Sequence, residues 1–216
     1  MTASYRSADW ASTFEQFLIH NSDTTDAAHD LEHIKRVVKT ATMLAQGEGA
    51  DLTIVLPAAW LHDCVIVPKD SPLRPQASTM AAEKAITFLK QITYPTHEFD
   101  AIYHAIEAHS FSANIPPRTR EAQVVRDADR LDAIGAIGVA RCLMLGGAMG
   151  SRLYDSDDPF GHTRQFDDTT NVIDHFYCKL LRLADGMLTE AGRAEAQRRT
   201  AFMQQFLQQL RSEVDL

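Results

Sequence analysis

Cysteine is scarce in this 216-residue chain: Cys64, Cys142 and Cys178 stand far apart and form no CxxC pair. That excludes a disulfide framework and a thiolate zinc site, and it fits a reducing compartment. Long apolar runs are absent too. No stretch approaches the roughly 18 residues needed to span a bilayer. The opening "MTASYRSADWASTFEQF" has no apolar segment of a signal peptide. A cytoplasmic protein with no membrane partner is expected. Positive charge is in deficit, with 21 Lys and Arg against 29 Asp and Glu and a net charge of -8. Such a balance argues against a nucleic acid polymer as partner, because that needs a basic surface. It leaves room for a small anionic substrate, since a cation and a few local positive groups can hold phosphate. Alternating strand-like runs are missing as well, and no internal repeat or domain boundary is visible.

What remains reads as helices. Hydrophobic residues make up 45% of the chain and charged residues 23%, enough apolar content for one core. Trp10, Phe14, Phe17 and Leu18 recur at helical spacing and suit core packing. "DLEHIKRVVKTATMLAQGEG" repeats the pattern and stops at Gly47 and Gly49, a C-terminal cap signal. "DLTIVLPAAWLHDCVIV" is apolar nearly all round, as a central buried helix is, with Pro57 expected at an early helical position. Ser78 is an N-cap candidate for the Ala-rich helix that follows. "EAQVVRDADRLDAIGAIGVARCLMLGG" reads as one long helical stretch with internal glycines. Residues 146–170 form the longest segment without helical pattern, either functional or packed on the body, and Gly146, Gly147 and Gly150 suit a tight turn. The expectation is an all-α single domain over residues 1–216. The C-terminal stripe Phe202, Met203, Phe206, Leu207 and Leu210 suits packing on the body or on a second copy in a homodimer.

Four strings put His or Asp beside residues that should pack inward: "HDLEHIKRV", "LHDC", "HAIEAHS" and "RDADRLDAIG". Buried charge is costly unless paired or bound to metal. A mixed imidazole and carboxylate set suits Mn, Fe, Co, Ni or Mg better than a structural zinc. Adjacent residues on a helix point about 100° apart. His62 and Asp63 can therefore straddle one ion, with neighbouring segments closing the other side.

The ordered set His33, His62-Asp63 and Asp129 resembles the HD-domain superfamily of metal-dependent phosphohydrolases. The strings "LHDCVIVPKDSPLR", "RDADRLDAIGAIGVAR", "GSRLYDSDDPF" and "VIDHFYCKLLRL" are similar to the bacterial small HD hydrolases that include nucleotide pyrophosphohydrolases. The resemblance covers roughly residues 25–205. It implies an all-α helical bundle. It implies one divalent cation, sometimes two, held by His33, His62, Asp63 and Asp129. It also implies chemistry in which the cation polarises a phosphoryl oxygen and acidifies the attacking water.

Other candidates follow from position. His29 and His33 are four residues apart and share a helical face, so His29 is a candidate to orient a ligand. Asp30 is a candidate for the same work or for an N-cap. His109 and His104, five residues apart, diverge on their helix. His109 is taken as a catalytic candidate beside Asp63, and His104 as a substrate contact. Lys69 and Arg74 follow the His62-Asp63 pair on a Pro-containing loop and are candidates to hold phosphate. Asp132, three residues past Asp129, is a candidate general base; pairing with a neighbouring Arg is its alternative. The expected reaction is hydrolysis of a nucleoside or deoxynucleoside triphosphate to monophosphate and pyrophosphate. Phosphomonoesterase or cyclic phosphodiesterase activity would use the same ion, and a nucleotide-binding module without turnover is the reading from another class.

Overall fold

The structure, a computed structural model, describes residues 7–21, 31–68 and 71–214. Among the described residues there is no strand, only an isolated bridge between Arg152 and Asn171. The fold is all-α. No single helix among them is long and apolar enough to cross a membrane. The chain divides into two compact units, residues 1–129 and 130–216.

The first unit is built around a short apolar helix. Its members are α1 (Ser7–Asn21), α2 (Leu31–Glu48), α3 (Leu52–Leu61), α4 (Ala77–Gln91) and α5 (Phe99–Glu107). Helix α2 buries His33, Ile34, Val37, Ala41, Leu44 and Ala45, an i, i+3/i+4 stripe with an imidazole at its start. It ends at Gly49, whose φ of +66° takes the left-handed cap. Helix α3 begins at once. The Asp51 carboxylate accepts from the Thr53 N–H at 2.8 Å and from its hydroxyl at 2.7 Å. Helix α3 then packs on α1, α2 and α5. Pro57 lies in the interior of α3, not in its first turn as the sequence suggested. A proline there removes the N–H that would bond the Thr53 carbonyl. The Tyr94 hydroxyl donates to that carbonyl instead, at 2.6 Å.

Helix α4 starts two residues earlier than the capping signal implied. A 3-10 turn at Arg74–Gln76 runs directly into Ala77, so Ser78 is already helical. Its hydroxyl donates to the Glu107 carbonyl at 2.8 Å and ties α4 to the end of α5. Phe14 is buried among aromatics, and Phe17 stacks on Phe88 with centroids 3.8 Å apart, so this set does pack.

The expected long helix around residue 130 is two helices. Helix α6 (Arg120–Leu131) ends, and α7 (Gly135–Ala148) starts after a three-residue break. Gly135 has φ +76°, which an L side chain rarely adopts. A Cβ there would also lie 3.0 Å from Arg199 Cγ. The second unit holds α7, α8 (Val172–Cys178) and α9 (Glu190–Val214). Met203 and Leu207 of α9 are buried, whereas Phe202 stays 44% exposed.

The 146–170 segment is fixed by carboxylates. Asp158 accepts from the backbone of His162, Thr163 and Arg164 at 2.9, 2.7 and 3.2 Å. Arg164 forms two hydrogen bonds to the buried Asp174, at 2.6 and 2.8 Å. Gly146 serves close packing and not a turn: a Cβ there would sit 2.2 Å from Val172 Cγ2.

Candidate metal centre

Four segments of the first unit bring their polar side chains to one place. His33 comes from the first turn of α2, His62 and Asp63 from the turn that ends α3, His109 from the turn after α5, and Asp129 from α6. Ligand atoms of His33, His62 and Asp129 lie within 4.8 Å of one another, and so do those of His62, Asp63 and His109. His62 is common to both sets. His33 Nε2 is 3.5 Å from Asp129 Oδ1, and His62 Nε2 is 3.5 Å from Asp63 Oδ2 and 3.9 Å from Asp129 Oδ1. His109 Nε2 is 3.4 Å from Asp63 Oδ1.

The turn that carries His62 and Asp63 is held from both sides. The Cys64 N–H donates to the Leu61 carbonyl at 3.1 Å. From α4, Lys84 donates to the Cys64 carbonyl at 3.1 Å, while the Cys64 thiol donates to the Ala81 carbonyl at 3.3 Å. Burial pushes that thiol up to about 12, so Cys64 is a packing group. Lys84 was not singled out in the sequence; a lysine on an Ala-rich helix carries no signal of this contact.

Backbone carbonyls set the imidazole tautomers. His62 Nδ1 donates to the Ala59 carbonyl at 2.8 Å, and His109 Nδ1 to the Ile106 carbonyl at 2.6 Å. Each leaves Nε2 facing the carboxylates. Burial drives the His62 pKa down, only partly opposed by Asp63, so its Nε2 carries a lone pair. That nitrogen is buried and has no hydrogen-bond partner. A lone pair aimed at two carboxylates is repelled by both unless a cation lies between them. His109 behaves oppositely: burial lowers its pKa, but the hydrogen bond and charge of Asp63 more than offset this and raise it. Burial pushes Asp129 up, yet His33 beside it holds it down at about 2. A neutral imidazole with ionised carboxylates is the protonation state a divalent cation requires. The residues therefore fit such an ion, and the N and O donor mixture suits Mn, Fe, Co, Ni or Mg.

The remaining candidates are placed differently. His104 is buried on α5 with both ring nitrogens engaged. Nε2 accepts the Arg118 N–H at 2.9 Å, and Nδ1 donates to Glu107 Oε1 at 2.9 Å. Arg74 is half-buried and donates to the Val67 carbonyl at 2.7 Å, closing the loop after Asp63. Asp132 falls in the break between α6 and α7, and its Oδ2 accepts from Arg141 at 2.6 Å. His29, Asp30 and Lys69 lie outside the described residues. Asp127, fully buried on α6, was not singled out.

Comparison with known proteins adds relatives to this geometry. The HD domain family model matches residues 30–134. YpgQ of Bacillus subtilis, an uncharacterised protein, is 34% identical over 192 residues, covering 87% of this chain and 85% of its own. The crystal structure of YpgQ in complex with ADP is similar with a TM-score of 0.71, over 94% of this chain and 97% of that one. An HD-superfamily hydrolase from Bacillus thuringiensis is 32% identical, with a TM-score of 0.75 over 96% of this chain and 98% of its own.

Proposed function

The chain belongs to the HD-domain superfamily of metal-dependent phosphohydrolases, and from that premise we propose that it hydrolyses nucleoside or deoxynucleoside triphosphates to the monophosphate and pyrophosphate. The observation that carries the hydrolase reading is the convergence of His33, His62, Asp63 and Asp129 around a buried, unpartnered His62 Nε2. The nucleotide reading is supported by the relative YpgQ, whose structure holds ADP. Manganese is the cation we favour, and the cytoplasm the compartment.

In this reading the four residues hold one divalent cation, which, when bound, offsets phosphoryl charge and acidifies water at the site. The carbonyls of Ala59 and Ile106 fix the imidazoles of His62 and His109, so their Nε2 atoms are aimed before substrate arrives. Asp63 and His109, 3.4 Å apart, form a proton-holding pair, in which Asp63 raises the pKa of the imidazole. Arg74 and Lys69, on the loop just after the pair, contact the phosphate chain. We read His104 and Asp132 as positioning residues, because Arg118 with Glu107 engages the first and Arg141 the second. His29 and Asp30 are proposed to orient the segment leading to His33.

Phosphorus NMR on the protein incubated with Mn and a panel of nucleotides tests the reaction. Pyrophosphate and a nucleoside monophosphate are expected. Release of orthophosphate in their place overturns the triphosphate assignment. Tight nucleotide binding with no turnover under several metals overturns the enzyme assignment as well.

A further inference from the structure

Between α1 and α4, within the first unit, lies an open cleft of about 550 Å³. That volume is in the range of small-molecule sites, roughly 300–1,000 Å³. Helical spacing builds it. Phe17 and His20 stand one turn apart on α1, and Lys84, Phe88 and Gln91 recur at i, i+4 and i+7 on α4, so each helix lends one face. None of these residues belongs to the metal centre.

Three features define what the cleft would take. The first is charge. The chain carries 29 Asp and Glu against 21 Lys and Arg, yet among the described residues no carboxylate lines the cleft, and Lys84 does. The second is an apolar wall. Phe17 stacks on Phe88 with centroids 3.8 Å apart and 15° between the planes, so the wall is set before a ligand arrives. The Lys84 ammonium stands over that wall, 5.7 Å from the Phe17 ring centroid. The third is a connection. The same ammonium donates to the Cys64 carbonyl at 3.1 Å, directly after the His62-Asp63 pair. An ammonium has three N–H donors, so one side chain serves both the cleft and the turn that carries two of the metal-centre residues.

We propose that this cleft is an effector site for a small aromatic acid, and that its occupancy lowers the affinity of the metal centre for its cation. The linkage rests on the metal-centre reading above and not on the nucleotide one. The planar body lies against Phe17 and Phe88, and the acid group takes Lys84. An anion attracts the ammonium more strongly than a neutral carbonyl does, so a bound acid draws Lys84 away from Cys64. The turn then loses a tether, and His62 and Asp63 are held less firmly for the ion. Linkage makes the effect reciprocal: the cation weakens binding of the acid by the same factor.

Isothermal titration calorimetry of the full-length protein tests this with naphthalene-2-sulfonate as the acid, the neutral naphthalene-2-sulfonamide as its control, and Mn. One sulfonate per chain is expected, with the sulfonamide roughly 10-fold weaker or more. Saturating sulfonate is expected to weaken Mn binding roughly 5-fold or more, and Mn to weaken the sulfonate equally. Gln16→Glu puts a carboxylate on the exposed α1 side of the cleft. It should weaken the sulfonate and leave Mn affinity as in the wild type, which separates the cleft from competition at the metal. Lys84→Met should weaken Mn and abolish the response to sulfonate. Equal binding of the sulfonamide, an unchanged sulfonate affinity in Gln16→Glu, or a Mn affinity indifferent to saturating sulfonate overturns the effector site and leaves the metal centre in place. A wild-type protein that binds the sulfonate but no Mn removes the linkage and the metal centre together.

Discussion

In the proposed reaction Asp63 is the residue on which most depends. One carboxylate oxygen lies 3.5 Å from His62 Nε2 and the other 3.4 Å from His109 Nε2, so in that reading it would serve the ion and the proton-holding pair together. Its substitution by Ala should lower kcat/KM at least about 100-fold, more than loss of a group that only orients a ligand. Bound metal, by elemental analysis, should fall with it, while the helical circular dichroism stays, because Asp63 follows the last turn of α3. Full turnover by Asp63→Ala would remove the ligand assignment. At this scale the sequence was legible where residue type and order mattered. His33, the His62-Asp63 pair and Asp129 come from distant strings, and the structure brings all four to one place beside apolar neighbours. Roles set by an unseen partner were not legible. His104 looked like a substrate contact, but its imidazole meets Arg118, 14 residues on, across a loop that periodicity does not describe. Asp132 looked like a second carboxylate on the face of Asp129, yet a break in the helix turns it to Arg141, nine residues on.

Helices were legible from spacing; their interruptions were not. Pro57 is tolerated inside α3 because Tyr94, 41 residues away, supplies the missing donor. The start of α7 after the break falls on Gly135, which reads as an ordinary helical glycine until its φ and the Arg199 side chain are seen together. Arg199 in turn belongs to a charged set on α9. Glu195 accepts from Arg198 at 2.8 and 2.7 Å and from Arg199 at 2.7 Å, and Arg199 donates to the Leu131 carbonyl at 2.6 Å. These guanidinium contacts, led by Arg198 and opposed by burial, hold Glu195 down at about 2, against an ordinary value of 4.5. A depressed folded-state pKa means the unfolded chain takes up the proton first. The contribution of Glu195 is therefore whole above about pH 4.5 and declines as the pH falls toward 2. Glu195→Gln should lower the urea midpoint at pH 7 and lower it less at pH 3. Equal losses at both values would show that Glu195 does not orient Arg199 through its charge.

For the molecule as a whole, a cation bound at this centre would also be a structural element. All five side chains of the centre lie in residues 1–129, contributed by four segments separated in sequence. Without the ion, two ionised carboxylates face the uncharged Nε2 of His62. With it, the same atoms become mutual ligands, so binding favours the folded state. At 100 times its Kd a ligand that binds only the folded state adds about 2.7 kcal/mol. For a chain of this length each kcal/mol moves the melting point by about 2–4 °C, so a rise of about 5–10 °C on adding Mn is expected. Differential scanning calorimetry with Mn or with chelator measures it, and Asp129→Asn should abolish the difference. The same scan tests the reading of residues 1–216 as one domain. One cooperative transition that moves whole with the metal is expected. Two transitions, of which only one responds, would mean that residues 1–129 and 130–216 unfold separately and that the ion stabilises the first alone.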